Sequence, residues 1–283
     1  RRGPRGGRSG RPGAMSAPLA VTVSSQVDPV LCAQAREHAR QWQLPYWDRP
    51  RKTGLEGQLG VFADAFLVLG SDGWTLRDAD GALRFTPNMA WLRIKRLEAG
   101  HRDDVLLRLC ELRTGDEVLD CTLGLGADAL VCAHAVGPTG RVVGVEHSLP
   151  LWVIASQGLS RFDPGRPSAR IEALHADSAA LLPTLADRSF DCVLFDPMFE
   201  KPRKAAPAFD VLRRYATQAP LDAQMLAHAR RVARRWVVVK SARYTPALKR
   251  LGLTAEPTSR FSNIVWARVA AASHHGERAP ERE

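Results

Sequence analysis

The sequence predicts an α/β protein whose mainly parallel sheet is covered on both faces and preceded by a small α+β domain. Three observations predict it. Short apolar segments at residues 117–120, 141–145, 171–175, 190–195 and 236–240 alternate with helical ones, and a last apolar segment follows at 264–268. Strands buried on both faces read as such runs, and strand–helix alternation is the pattern of parallel crossovers. A glycine-bearing turn, Cys121 to Gly126, joins the first of these strands to a helix-forming run. Finally, Asp120, Glu146, Asp177 and Asp196 stand at or just after four successive strands, which gathers acids along one sheet edge.

The segment before the alternation has a different texture. Residues 19–24 alternate and read as a strand. Asp28 and Pro29 then open a helix to about Trp42, as N-cap and first helical residue. Residues 46–52 form a Pro/Arg-rich loop. Residues 66–69, 74–76 and 82–85 read as a three-stranded meander, turning at Ser71-Asp72-Gly73 and at Asp80-Gly81. Asn88 begins a helix through Leu97 that Gly100 stops. Asp103-Asp104 opens another, with Val105, Leu106, Leu109 and Leu112 on its apolar face. The expected division is a leader over residues 1–18, an α+β domain over 19–100, a larger domain over 101–270 and a polar tail over 271–283.

Composition narrows the class. A hydrophobic share of 45% with 25% charged residues excludes a chain that is disordered throughout. The net charge of +10 is uneven: Arg1, Arg2, Arg5, Arg8 and Arg11 lie in the leader, which has no acid, so the remainder carries +5. A Gly/Pro-rich leader cannot bury a core and is expected to be disordered. It has the arginine bias of an organelle transit peptide, but its Gly and Pro content opposes an amphipathic helix, and it reads as a tail upstream of Met15. No window approaches the ~20 apolar residues of a membrane span. The five cysteines form no C-x-x-C pair and sit mostly in apolar segments, as buried reduced thiols of a cytoplasmic protein do. His274-His275 lack partners, so no metal site is expected. Trp42, Trp74 and Trp91 read as core, and Arg230, Arg231, Arg234 and Arg235 as the solvated face of a helix.

The chemistry concentrates at strand ends. The fourth strand runs into Asp196-Pro197-Met198-Phe199. An enzyme that methylates an exocyclic amine on a flat base needs an acceptor for the amine hydrogens, a rigid carbonyl beside it and an aromatic face. Asp196, Pro197 and Phe199 supply one each; alone, the same residues equally describe a strand stopped by a proline. Upstream, the loop with Thr122, Gly124 and Gly126 lets backbone approach a ligand closely. Gly124-x-Gly126-x-x-Ala129 with an acid about 20 residues on also fits a dinucleotide fingerprint. Three features weigh against that fit, namely Asp120, Asp177 and the Asp-Pro motif, whereas Glu146 suits either reading. Asp120, before the loop, suits an amino-acid ammonium better than a pyrophosphate. Glu146 can take both hydroxyls of a ribose, and Asp177 an adenine amino group. With the Asp-Pro motif, these describe S-adenosylmethionine.

Asp120-Cys-Thr-Leu-Gly-Leu-Gly126, Phe195-Asp-Pro-Met-Phe199 and Val237-Val-Val-Lys240, in this order and spacing, resemble the J-type small-subunit ribosomal RNA guanine-N2 methyltransferases and their uncharacterised bacterial relatives. The segment Asn88 to Arg96 resembles the helix leading into the catalytic domain of those relatives. The resemblance covers roughly residues 85–268. It implies a class I, Rossmann-like methyltransferase fold with a sheet of the seven-stranded type. It also implies cofactor contacts at Ala127 and Asp128, at Glu146 and His147, at Asp177 and Ser178, and at Asp196. The chain departs from the J-type pattern at Ala127, where Arg is usual, at Asp177, where Ser is usual, and at residues 98–102, which replace a glycine run.

The substrate so implied is RNA, ribosomal RNA or the small subunit itself. Lys201, Arg203 and Lys204 follow the motif directly, and Arg93, Lys95, Arg96 and Arg102 extend a cationic surface that can position phosphates without reading sequence. Arg49, Arg51 and Lys52 can add to it. Lys240, at the fifth strand's end, reads as an RNA contact or a strand cap. RNA capture is assigned to the α+β domain on position alone. Two other classes compete: a small-molecule or protein methyltransferase with the same cleft, and a catalytically silent RNA-binding protein.

Overall fold

The computed structural model describes residues 17–24, 28–50, 53–162, 165, 168–197, 207–216, 219–256 and 262–273. Two compact units divide after Leu83. In the first, β1 (Ala20–Val23), β2 (Ala65–Gly70), β3 (Gly73–Asp78) and β4 (Ala82–Arg84) form one sheet in chain order. β1 runs parallel to β2, and β2 and β3 are antiparallel. The parallel pair needs a crossover, and α1 (Pro29–Gln41) supplies it. Asp28 caps α1 as expected, its side chain accepting from the Val30 N–H at 2.8 Å. Ala35 and Ala39 of α1 are buried, and His38, Trp42 and Trp74 stack into one aromatic group.

The second unit holds α2 (Asn88–Glu98), α3 (Val105–Cys110), β5 (Glu117–Asp120), α4 (Ala127–Val136), β6 (Arg141–Glu146), α5 (Leu149–Arg161), β7 (Arg170–His175), α6 (Ser178–Leu181), β8 (Phe190–Phe195), α7 (Pro207–Tyr215), α8 (Ala223–Val232), β9 (Ala233–Ala242), α9 (Ala247–Arg250) and β10 (Ile264–Ala270). Its sheet order is β10-β9-β8-β5-β6-β7, with β10 antiparallel to β9 and the other neighbours parallel. The period of two in the strands sends alternate residues to opposite faces. Val118, Val142, Cys192, Leu194 and Val238 pack with α3, α4 and α5. Leu119, Val143, Val193, Val237 and Val239 pack with α8 and α9. All five cysteines are free and buried. Among the described residues no helix is long and apolar enough to cross a membrane.

Two expectations need correction. The units part after Leu83, not near Gly100, because Ala90 and Ile94 of α2 are buried with Leu130 and Val131 of α4. Of the pair expected to open α3, Asp104 caps it, accepting from the Leu107 N–H at 3.2 Å. The sheet has six strands among the described residues, and β9 and β10, joined through the short α9, pair directly. Finally, the four arginines at 230–235 are no solvated helix face. Arg234 and Arg235 lie on β9, where Arg234 pairs with Asp191 and Arg235 with Asp116 and Asp191. Arg231 closes on Asp187 and on the Leu182 and Leu185 carbonyls, and Arg230 donates to the Ala270 carbonyl.

Candidate active site

The chain builds outward from β5 to β6 and β7, then returns to lay β8 on the other side of β5. Adjacent loops diverge at such a reversal, which is where open α/β sheets bind their ligands, beyond the carboxyl ends of the strands. Asp120 ends β5 and Asp196 follows β8, so both stand at this reversal. Thr122 ties them together. Its N–H and hydroxyl donate to Asp120 Oδ1 at 3.0 and 3.4 Å, and its Oγ1 accepts the Asp196 N–H at 2.6 Å.

The loop after β5 turns through Gly124 at φ +53° and Gly126 at φ +79°, conformations costly for residues with a Cβ. A Cβ on Gly126 would meet Leu159 Cδ1 at 3.0 Å. One on Gly124 would meet nothing nearer than the Thr122 carbonyl at 3.9 Å, so the loop leaves open space there. The Gly124 N–H donates to Glu146 Oε2 at 2.9 Å, and the Ser148 N–H to Oε1 at 2.8 Å. Burial raises the Glu146 carboxyl above its ordinary range against the pull of these two N–H groups. Asp120 is only 2% exposed. Burial pushes its carboxyl up to about 7, with the Thr122 N–H acting the other way. A buried acid without a cation is short of a countercharge, and a docked ammonium supplies one.

Asp196 ends a line of alternating charges. Lys240 Nζ lies 2.5 Å from Asp196 Oδ2 and 3.6 Å from Asp128 Oδ2. Asp128 Oδ1 accepts from Arg93 Nη1, and Arg93 donates through Nε and Nη2 to Asp104 at 2.8 and 3.1 Å. Charges this enclosed persist only when paired. Burial raises Asp128, but Lys240 and Arg93 more than offset it and hold the carboxyl below its ordinary range. Burial likewise pushes Asp196 up to about 6 against the pull of Lys240. Lys240 itself, which burial would lower, is raised by Asp128 and Asp196 and stays an ammonium. Among the described residues Asp196 Oδ1 takes no hydrogen bond, which leaves one oxygen for a ligand.

The expected residues fall into four groups. Asp120, Thr122, Gly124, Gly126, Glu146, Asp196 and Pro197 gather at the strand ends around the reversal, and Ala127 begins α4 directly after the loop. Asp177 is exposed beyond β7, capping α6 through the Ala179 N–H at 2.8 Å, and His147 is exposed beyond β6. The others have different employment. Ser178 is buried and its hydroxyl donates to the Cys121 carbonyl at 2.6 Å, tying α6 to the glycine loop. Asp128 holds two cations and is no free acceptor. Arg93, expected at an RNA surface, is spent on Asp104 and Asp128, and Lys240 on Asp196 and Asp128. Arg102 donates to the Leu97 carbonyl at 3.1 Å, Arg96 pairs with Asp103 at 2.7 Å, and Lys95 lies over the Trp91 ring. Phe199, Lys201, Arg203 and Lys204 lie outside the described residues. The linking role of Thr122 had no signal beyond its place in the loop. Asp104 was legible only as a helix cap.

Known proteins resemble this chain in sequence and fold. Residues 76–262 match the SAM_MT family of SAM-dependent methyltransferases. An uncharacterised Bacillus subtilis protein, YpiP, is 33% identical over 82% of this chain and 92% of its own length. A Coxiella burnetii protein named ribosomal RNA small subunit methyltransferase J is 30% identical over 83% of this chain and 90% of its own. In three dimensions, a SAM-dependent methyltransferase from Neisseria gonorrhoeae superposes with a TM-score of 0.59 at 18% identity, covering 93% of this chain and all of that one, a likeness of fold. The chain therefore belongs to the class I S-adenosylmethionine-dependent methyltransferases, in the family that includes ribosomal RNA small subunit methyltransferase J.

Proposed function

We propose that the chain methylates an exocyclic amino group of an RNA base, guanine N2 in ribosomal RNA. The observation that carries this reading is the Asp196 carboxylate at the sheet reversal, with Lys240 on Oδ2 and Oδ1 unengaged among the described residues. The J-type name of the Coxiella burnetii relative supports ribosomal RNA as the substrate class.

The residues divide the work. Bound S-adenosylmethionine supplies a methyl group already activated on a sulfonium sulfur. Asp120 accepts the ammonium of its amino-acid end, Glu146 the ribose hydroxyls and Asp177 the adenine amine, while the open space at Gly124 admits close approach of the chain. What remains is placement of the acceptor nitrogen. A guanine amine is a weak nucleophile because its lone pair is delocalised into the ring. Hydrogen bonds from that amine to Asp196 Oδ1 and to the Pro197 carbonyl draw the nitrogen toward tetrahedral geometry, and Asp196 then takes the released proton. Phe199 stacks on the base, which must be unstacked to enter. Lys201, Arg203 and Lys204 meet the flanking phosphates.

Glu146→Gln keeps one acceptor but turns an amide N–H₂ against the Gly124 or Ser148 N–H. Donor affinity is expected to fall roughly tenfold or more, the range for hydrogen bonds to a charged group, as read by titration calorimetry. The substrate is tested by mass spectrometry of ribosomal RNA nucleosides from cells with and without the gene. One N2-methylguanosine that disappears and returns on complementation is expected. Unchanged nucleosides would remove the RNA reading.

A further inference from the structure

β9 and β10 meet at the same sheet edge as Asp196, and the turn that leaves β9 carries a side chain the mechanism does not use. Tyr244 is 84% exposed, the most exposed of the large hydrophobic residues among those described. It has no hydrogen-bond or ring partner among the described residues. Its backbone, by contrast, is well fixed. The Thr245 N–H donates to the Ala242 carbonyl at 3.2 Å, closing a tight turn, and the Thr245 hydroxyl donates to the same oxygen at 3.0 Å. The Arg243 N–H donates to the Asn263 carbonyl at 2.8 Å and its side chain to the Ser262 carbonyl at 2.7 Å. An aromatic ring held in water on a braced turn is preorganised for a flat partner, since little chain entropy is left to lose on binding.

The surroundings choose the partner. Tyr244 follows Lys240 by four residues, and Lys240 Nζ touches Asp196. Four residues span at most ~14 Å, and stacked nucleotides repeat at ~3.4 Å along a strand, so the ring is within a few nucleotides of the acceptor. Ile264, opposite Ala242 in the β9–β10 ladder and 37% exposed, adds an apolar shelf. Lys249 and Arg250 on α9 are exposed cations without an ion-pair partner among the described residues. An exposed aromatic ring followed within six residues by two exposed cations suits a base with its phosphate.

We propose that Tyr244 is a stacking platform for an unpaired nucleobase flanking the target, with Lys249 and Arg250 meeting the adjoining phosphates. The inference rests on the RNA reading, and its test separates the two. The probe is a single-stranded RNA decamer carrying 2-aminopurine, titrated at low salt into wild-type protein, Tyr244→Ala and Tyr244→Trp, with donor affinity measured in parallel. Base stacking on an aromatic side chain predicts an RNA affinity about tenfold weaker in Tyr244→Ala, near wild type in Tyr244→Trp, and quenching of 2-aminopurine lost only in Tyr244→Ala. Unchanged donor affinity shows that the cleft is intact, as expected for so exposed a side chain. Tyr244→Ala binding as wild type does would overturn the platform and leave the RNA reading standing. Equal losses in the alanine and tryptophan variants, or a change in donor affinity, would overturn it too, because the role would then lie in the turn or the cleft. If wild-type protein does not bind the RNA, both readings fall together.

Discussion

Asp196→Asn is expected to lower kcat about a thousandfold while S-adenosylmethionine still binds, the loss characteristic of a missing general base. Asparagine keeps the size of the side chain and one carbonyl oxygen, but it cannot take a proton. It also turns an amide toward either the incoming amine or the Lys240 ammonium, 2.5 Å from Oδ2 in the native protein. The pH profile carries the same argument. Burial pushes Asp196 up to about 6 against the pull of Lys240, and only the ionised form can accept a proton. kcat should therefore be full above this value and fall as pH drops through it. Lys240→Met removes the cation that draws the carboxyl down, so the acid limb should move to higher pH. Single-turnover rates measured from pH 5 to 9 check both variants. An asparagine variant with near-native turnover, or a limb that stays put in Lys240→Met, would show that Asp196 is not the base.

How much of this site was readable from sequence depends on the distance over which each feature is encoded. The strand ends were readable because both signals are local: an apolar run, then an acid. Asp120, Glu146 and Asp196 reach one sheet edge since successive parallel strands must carry their carboxyl ends to one side. The Asp28 cap and the glycine loop are legible for the same reason. The charged line from Asp104 to Asp196 was not. Arg93 and Asp128 lie 35 positions apart and Lys240 and Asp196 lie 44 apart, and nothing in either neighbourhood marks one as the other's partner. A cation on a helix near a catalytic motif reads as surface until packing shows otherwise. Arg234 and Arg235 misled in the same way: a dense run of arginines after a helical segment conceals that α8 ends at Val232 and that β9 has begun. The boundary near Leu83 was missed because the apolar face of α2 declares only that something covers it, and that partner, α4, comes more than 30 residues later.

The second large effect is a gain. Asp120→Asn should make the ligand-free protein more stable at pH 8 while weakening its hold on S-adenosylmethionine. The native carboxyl is pushed from 3.8 to about 7 by burial, so the folded chain holds that proton more tightly than the unfolded chain does. The sign follows: stability is full below the unfolded value and is lost as pH rises from about 4 to about 7. A rise of that size amounts to ~4 kcal/mol once the group is fully ionised. Asparagine carries no charge at any pH and its Oδ1 can still accept from the Thr122 N–H, so the variant should recover about 2 kcal/mol or more at pH 8 and little at pH 4. Donor binding reverses the order, because an ammonium against the native carboxylate supplies the missing countercharge and the amide offers only a dipole. Added S-adenosylmethionine should therefore raise the unfolding free energy of the wild type far more than that of the variant. Urea unfolding at pH 4.5 and pH 8, with and without the donor, measures all four quantities. A variant less stable than wild type at pH 8 in the absence of donor would mean that Asp120 already has a cation of its own, and the site would lose its reason to bind an ammonium there.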